Sequence, residues 1–129
     1  MLRNGGKMLR KQPYFEYKFS KNEVNVWVLS YNENEKQYVL SKTHSISIEL
    51  WNELENKLCP LMNRYPTCLK FHIIVGAYLY LLKRKDYAFE VNDLKNENFS
   101  VKELTLFSSY ATNFINSYVT SLTTYEGIT

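Results

Sequence analysis

The sequence predicts a single α+β domain in which an N-terminal antiparallel meander of three strands is followed by three helices. Three observations support this class. Apolar side chains alternate over residues 14 to 42, the run Thr67 to Leu82 is apolar on almost every side, and a capping motif at Ser100 opens a long amphipathic segment. The second helix is expected to be buried, and the third to be long and amphipathic.

The alternating pattern defines three strands that are separated by polar turns. In the first strand, three aromatic residues from Phe15 to Phe19 share one face. The second strand, Glu23 to Tyr31, carries valines on one face and Trp27 with other large side chains on the opposite face. A strand with two partly apolar faces is either covered on both sides or presents an aromatic face to a partner. The third strand is expected at Lys36 to Lys42.

The segment after the third strand, Thr43 to Ile48, is ambiguous. Alternation through Ile46 continues a strand pattern, whereas Ser47 followed by Glu49 is typical of a helix N-cap and its first turn. Apolar residues then recur every three or four positions, which predicts the first helix at Ile48 to Leu58.

The central apolar run follows a connector that two prolines interrupt. Pro60 and Pro66 prevent a regular helix there, and Thr67 is expected to cap the helix that begins after them. An alternative makes Cys68 to Val75 a buried strand, because its apolar residues alternate. The length of the run and its apolar continuation to Leu82 favour a helix that is buried on all sides.

The last third of the chain contains an acidic segment and the long helix. Alternating residues from Tyr87 to Val91 suggest a short extra strand. Ser100 and Glu103 form a capping-box pattern, and apolar residues then recur at helical spacing from Val101 to Leu122.

Composition and charge are those of an ordinary globular domain. The 129 residues are 45% hydrophobic and 22% charged, with a net charge of +3. Residues 1 to 21 hold six basic and one acidic side chain (+5), whereas residues 86 to 129 hold two basic and six acidic ones (−4). Residues 1 to 12 are expected to form a flexible basic arm, and residues 13 to 129 a single domain.

The use of lysine, asparagine and cysteine bears on the source and the compartment. Twelve lysines against four arginines, with abundant asparagine, indicate an AT-rich genome such as that of a low-GC bacterium, its phage or another mobile element. Two cysteines without an export signal favour a reducing, cytoplasmic location. The central run is shorter than the roughly 20 residues that a membrane helix needs, so membrane binding is disfavoured.

The chain offers little chemistry for an active site. Its only cysteine and histidine residues are Cys59, Cys68, His44 and His72, and their spacing matches no zinc-finger pattern. A Cys–His nucleophile would need a third group that the sequence does not indicate, and a buried free thiol is the simpler interpretation. No phosphate-binding or dinucleotide-binding motif occurs. We therefore expect no metal, no cofactor and no enzyme activity, although convergence of the four residues stays open.

Aromatic and basic side chains interleave along the predicted sheet, after the basic arm. Unstacked nucleotides bind such surfaces because bases lie on rings and phosphates are drawn to cations. Glutamates interrupt the positive charge, and aromatic residues are in any case common in strands. The residues predicted to bind a nucleic acid are Arg10, Lys11, Lys18, Trp27, Tyr31 and Tyr38.

The last helix carries no charged side chain from Leu104 to Tyr125. A helix that faces bulk water usually carries charge, so a face of small uncharged polar groups suggests contact with another protein. The alternative is a solvated face in an asparagine-rich protein. The residues predicted to contact a partner are Ser109, Thr112, Asn113, Asn116 and Thr120.

These patterns favour a small non-enzymatic interaction protein. We expect an accessory or inhibitory factor of a bacterial phage or mobile element that binds a larger protein or associates with itself. The alternative hypothesis is a single-stranded nucleic-acid-binding protein that uses the sheet aromatics and the basic arm.

Overall fold

The chain forms one antiparallel sheet followed by a group of helices. The computed structural model describes the backbone of residues 12 to 128 and the side chains of residues 12 to 118; the predicted basic arm, with Arg10 and Lys11, lies outside the described residues. Within this range the elements in chain order are β1 (Tyr14–Phe19), β2 (Glu23–Asn32), β3 (Gln37–Ser47), α1 (Ile48–Leu58), a 3-10 turn (Cys59–Met62), α2 (Thr67–Arg84), α3 (Val91–Leu94) and α4 (Val101–Ile128). The predicted α+β class is confirmed.

The three strands form a meander in the order β1-β2-β3. Phe15 pairs with Val28, and Ile46 pairs with Val24, so that these side chains lie on the same face. A bulge between Val28 and Leu29 gives β3 one extra residue. That residue is Ser41, since Val28 pairs with Lys42 and Leu29 with Leu40. The hydroxyl of Ser41 shares a hydrogen bond with that of Ser30, the one buried polar residue of the described chain.

The third strand is longer than the sequence predicted. It continues from Gln37 to Ser47 rather than ending at Lys42, and Ile46 is fully buried within it. Ser47 then caps α1, because its hydroxyl accepts a hydrogen bond of 3.2 Å from the N–H of Leu50. The segment is therefore a strand up to Ser47, and Ser47 is also the N-cap of the helix that follows. The predicted bounds of α1 are confirmed.

The connector ends in a cap that differs from the predicted one. Pro66, with an extended backbone, is the N-cap of α2, and no side chain caps this helix. Its carbonyl accepts hydrogen bonds of 3.0 Å from the N–H groups of Leu69 and Lys70. The prediction of Thr67 as the cap is wrong, since Pro66 already has the extended backbone of a cap residue and Thr67 is the first residue of the helix.

The central run is a helix, as predicted, and the alternative strand at residues 68 to 75 is wrong. Burial is continuous from Ile73 to Leu79, but Cys68 in the first turn is exposed. The expectation of burial on every side therefore fails at this end. A close contact between α2 and α4 lies around Gly76, about two turns further along the helix.

Gly76 allows the backbones of α2 and α4 to touch. A Cβ atom at this position would lie 1.9 Å from the carbonyl oxygen of Phe107 and 3.2 Å from the Cβ of Ala111. A real side chain cannot occupy that space without moving one helix. The glycine is therefore required by helix packing rather than by a turn.

The acidic segment forms no strand, so the suggested extra strand near Tyr87 is wrong. Asp86 and Tyr87 both have left-handed backbone angles, with φ of 57° and 66°. A capping box between Glu90 and Asp93 then starts the short helix α3. At the start of α4 only one half of the predicted box forms, the hydrogen bond of 2.9 Å from the N–H of Ser100 to the Glu103 carboxylate.

The helices cover one face of the sheet, which we call the inner face. Val24, Val26 and Val28 of β2 are at most 1% exposed on this face. Aromatic contacts tie it to the helices, for example between Phe15 and Phe114 of α4 at 6.5 Å. The opposite face of the sheet does not pack against this core, so it is the candidate interaction surface.

Candidate interaction surface

The second face of the sheet, which we call the outer face, is set by the strand register. On β2 the alternate residues beside the buried valines point to this side, and the pairing fixes their neighbours on β1 and β3. Among the described side chains, no residue of the outer face belongs to the core or packs against it. The outer face consists of Tyr14, Glu16, Lys18, Glu23, Asn25, Trp27, Leu29, Tyr31, Tyr38, Leu40, Thr43 and Ser45.

One end of the outer face is a cluster of three tyrosines. The ring of Tyr38 lies 5.0 Å from that of Tyr14 and 5.4 Å from that of Tyr31, both edge to face. The Tyr38 hydroxyl donates a hydrogen bond of 2.9 Å to the carbonyl of Gln12, across the sheet. Partial burial, with Tyr14 and Tyr31 adding to it, raises the pKa of Tyr38. The rings are thus held in place before any partner arrives.

Apolar side chains extend the cluster across the sheet. Trp27 and Leu29 are half-buried, and Leu40 is 56% exposed although it is a leucine in the middle of a strand. The bulge places Leu40 opposite Leu29. Large apolar groups that remain in water on a continuous face are typical of a binding surface.

The charges of the outer face are few and of both signs. Glu16 lies opposite Trp27 in the register, and Lys18 lies opposite Asn25. The amide of Asn25 donates to Glu23 at 3.4 Å, which places a second carboxylate at this end. A phosphate that approached Trp27 would therefore meet the carboxylate of Glu16. This arrangement favours an uncharged partner over a polyanion.

The residues predicted to bind a nucleic acid are brought together only in part. Tyr31 and Tyr38 are in contact, and Trp27 lies two residues further along β2 on the same face. Of the three basic residues in this set, Lys18 is the one that lies within the described residues. It lies at the far end of β1 from the tyrosines. The described part of the surface thus contains the stacking groups, with one cation at its far end.

The predicted partner-binding residues lie on one exposed side of α4. Ser109, Thr112, Asn113 and Asn116 are exposed, and the side chain of Thr120 lies outside the described residues. Thr112 is already engaged, because its hydroxyl lies 3.0 Å from Nε2 of His72. Asn116 also interacts within the chain. This side of α4 is less available than its exposure alone suggests.

A groove runs beside that side of α4, between α2 and α4. Its volume is about 160 Å³, below the ~300–1,000 Å³ of pockets that enclose small ligands. It is lined by Tyr65, Leu69, Ile73, Leu104, Thr105, Ser108 and Ser109. The lining contains no histidine, cysteine or carboxylate.

The two histidines lie on the inner side of the sheet. Nε2 of His72 lies 3.2 Å from the carbonyl of Ser108, to which it can donate. Nε2 of His44 is buried without a partner among the described groups, and its ring lies 5.7 Å from that of Phe114. Burial lowers the pKa of both rings; nearby Lys42 adds to this at His44, and the Ser108 carbonyl partly opposes it at His72.

The two cysteines are free and lie in different surroundings. Cys59 is half-buried, whereas Cys68 is exposed, so the predicted buried thiol applies only in part to the first and not to the second. Burial and the nearby carboxylate of Glu55 raise the pKa of the Cys59 thiol. In residues 12 to 118 no group of three metal-binding side chains comes together.

Comparisons with protein-family models, with curated proteins and with solved structures each gave no match. Over the described residues, no helix has both the length and the apolar character needed to cross a bilayer. The assignment of a function therefore depends on the surfaces described above.

Three apolar or aromatic members of the outer face, Tyr14, Leu29 and Leu40, were not among the predicted binding residues. Their signal was present for β1 and β2, because Tyr14 and Leu29 continue the alternation of their strands. The sequence pattern did not indicate on which face of the sheet Leu40 lies, because that face depends on the bulge in β3. The tyrosine contacts likewise depend on the register between strands, which the sequence pattern does not fix.

Proposed function

We propose that the protein is a non-enzymatic interaction protein whose outer face docks on an apolar, uncharged surface of a protein partner. One observation carries the proposal, the apolar and aromatic outer face with Trp27, Leu40 and the tyrosine cluster, which does not pack against the core formed by the described residues. Aromatic residues dominate the energetics of protein interfaces, and rings that are already ordered lose little entropy on binding. In this role the protein would act as an accessory or inhibitory factor that covers a functional surface of its partner.

The chemistry of the partner follows from the charges of the outer face. The carboxylate of Glu16, beside Trp27, would repel a phosphate backbone. The charges of Glu16 and Lys18 cancel, so β1 has no net charge. An apolar protein surface with a few hydrogen-bonding groups complements such a face. The lysine- and asparagine-rich composition supports a source in a low-GC bacterium or its phage, and we propose that source for the partner as well.

A comparison of two surface variants tests the proposal. Affinity capture from a lysate of a low-GC bacterium is performed with the wild-type chain, with Trp27→Ser combined with Leu40→Ser, and with Ser109→Glu combined with Asn113→Glu. The first variant alters the outer face and the second alters the exposed side of α4. Circular dichroism and thermal unfolding establish that each variant is folded before it is used.

A defined protein that the wild type and the α4 variant capture, and that the outer-face variant loses, is the expected result. Loss in the α4 variant alone would move the interface to the side of α4, and capture of nothing would overturn the proposal. Fluorescence anisotropy with short oligonucleotides is run in parallel. Binding that falls with salt and is lost in the outer-face variant would replace the proposal with nucleic-acid binding.

The two tryptophans provide a direct measurement on the purified complex. Trp51 is 1% exposed, whereas Trp27 is half-buried on the outer face, so acrylamide quenches mainly the emission of Trp27. Docking on the outer face is expected to protect that emission. Unchanged quenching in a complex of known stoichiometry would exclude the outer face from the interface.

A further inference from the structure

Strand β1 is a free edge of the sheet. It pairs with β2 on one side, and its other side is unpaired in the part of the chain that the structure describes. A free edge presents backbone N–H and C=O groups to any second strand, and charged side chains commonly protect such edges. β1 has two charged side chains, Glu16 and Lys18, which are exposed and lie on the same face. Neither has an ion-pair partner among the described residues.

The order of residues in β1 is complementary to itself. In an antiparallel pair of two β1 strands related by a two-fold axis at Tyr17, Glu16 lies opposite the partner's Lys18, and Lys18 lies opposite the partner's Glu16. Opposite charges that face each other across strands stabilise the pair, and like charges destabilise it. An axis at Glu16 would place two carboxylates opposite each other across the pair. An axis at Lys18 would place two ammonium groups opposite each other. Charge therefore selects the register centred on Tyr17.

The inner face supports the same register independently. Phe19 ends β1 and is 47% exposed, although it packs at 5.4 Å against Trp51 and at 5.5 Å against Phe71. Pairing about Tyr17 brings Phe19 opposite the partner's Phe15. An aromatic ring left in water by the single chain would then lie against a second aromatic ring, which is a favourable cross-strand pair.

We infer that the protein forms a homodimer in which β1 pairs with β1 of a second copy, centred on Tyr17. The two three-stranded sheets then join into one sheet of six strands, with all helices on one side. The two outer faces become one continuous surface. This inference goes beyond the proposed function and does not depend on it, since the pairing uses the backbone edge of β1 with Glu16 and Lys18, whereas the proposed docking uses Trp27, Leu40 and the tyrosine cluster.

Charge exchange at the two positions tests the dimer. Light scattering after size exclusion is expected to give the wild type a mass of twice 15.3 kDa. In a dimer of the Glu16→Lys variant, positions 16 and 18 of both copies would be lysine, four in all. In a dimer of the Lys18→Glu variant, the same four positions would be glutamate. Each variant alone is expected to raise the dissociation constant at least about tenfold. An equimolar mixture of the two variants restores only opposite-charge pairs, so a heterodimer is expected to form.

The double variant E16K/K18E serves as the matched control, because it exchanges the charges but keeps every pair opposite. It is expected to dimerise like the wild type. A wild type that stays monomeric, single variants that remain dimeric, or a mixture that fails to associate would each overturn the inference.

The outer-face variant separates this inference from the proposed function. Trp27→Ser combined with Leu40→Ser is expected to remain dimeric, while its capture of a partner is lost. A dimer that this variant abolishes and that the charge variants leave intact would place the contact on the outer face, and the β1 pairing would be rejected.

Discussion

The two faces of strand β2 differ in how the chain uses them. On the inner face Val24, Val26 and Val28 are buried under helices, whereas on the outer face Trp27 and Leu29, their direct neighbours in sequence, are partly exposed. The side chains on the outer face are as large or larger, so size does not explain the difference. The helices need only one face of the sheet to form a core. Trp27 and Leu29 are thereby left in partial contact with solvent.

The largest expected effect concerns the contact between α2 and α4, which belong to the helix layer that covers the inner face. Gly76→Ala is expected to destabilise the protein by about 3 kcal/mol, because the added methyl group overlaps the Phe107 carbonyl of α4. In an ordinary exposed helix position the same change is stabilising by ~0.5–1 kcal/mol, so the sign is diagnostic. Lys83→Ala, at an exposed position of α2, is the control and should change stability by less than about 0.5 kcal/mol. Urea unfolding measures both, and a stabilised Gly76→Ala variant would contradict the helix contact.

The second prediction compares adjacent residues on β2. Val26→Ala should cost about 2 kcal/mol, since it removes two buried methyl groups and leaves a cavity. Trp27→Ala removes many more atoms but should cost less than about 1 kcal/mol, because the indole lies outside the core. Urea unfolding at constant m-value provides the comparison. A Trp27→Ala variant that is less stable than Val26→Ala would mean that the outer face is part of the folding core.

The third prediction concerns pH and the inner face. Burial lowers the pKa of His44 and His72 below their ordinary value of 6.5, so the unfolded chain takes up protons before the native chain does as pH falls. Stability from these rings is therefore complete above pH 6.5 and is lost as pH falls from there through the lowered native pKa values. The urea midpoint should decrease between pH 7 and about pH 5.

The double variant His44→Phe with His72→Gln is the control for that experiment. It should lose most of the decrease, because neither replacement titrates in this range and glutamine can still donate to the Ser108 carbonyl. An equal decrease in the wild type and in this variant would assign the effect to other groups.

The smallest expected effect is on the outer face. Tyr38→Phe removes the hydrogen bond to the Gln12 carbonyl but keeps both ring contacts, so it should cost about 0.5 kcal/mol. Tyr14→Phe is the matched control, since no hydrogen bond of its hydroxyl is present among the described residues, and it should leave the thermal midpoint unchanged. Equal losses in the two variants would mean that the Gln12 contact contributes nothing.

Local patterns predicted most of the fold. Alternation located β1 and β2, and the apolar spacing located α1 and α2, because each signal depends on residues that are close in sequence. The extension of β3 to Ser47 was only half visible, since a strand pattern and a helix cap overlap there. The extra strand near Tyr87 was wrong because two non-glycine residues adopt left-handed angles, which sequence rarely indicates.

The candidate surface was less accessible to prediction. Trp27 and Tyr31 were expected on a partly apolar face, and they lie on the outer face. The contact of Tyr38 with Tyr14 joins the first and third strands across the second, and no local pattern encodes it. The choice between the outer face and the side of α4 also required tertiary contacts, such as the bond between His72 and Thr112.

The extra residue in β3 has a consequence for how this sheet tolerates insertion and deletion. A chain that lacked Ser41 could keep Leu40 and Lys42 on their present sides, since the two would then simply be consecutive in a regular ladder. It would, however, leave the hydroxyl of Ser30 in the protein interior with nothing to bond to. Loss of that single codon should therefore be tolerated in natural variants when Ser30 has become alanine, and selected against when it has not.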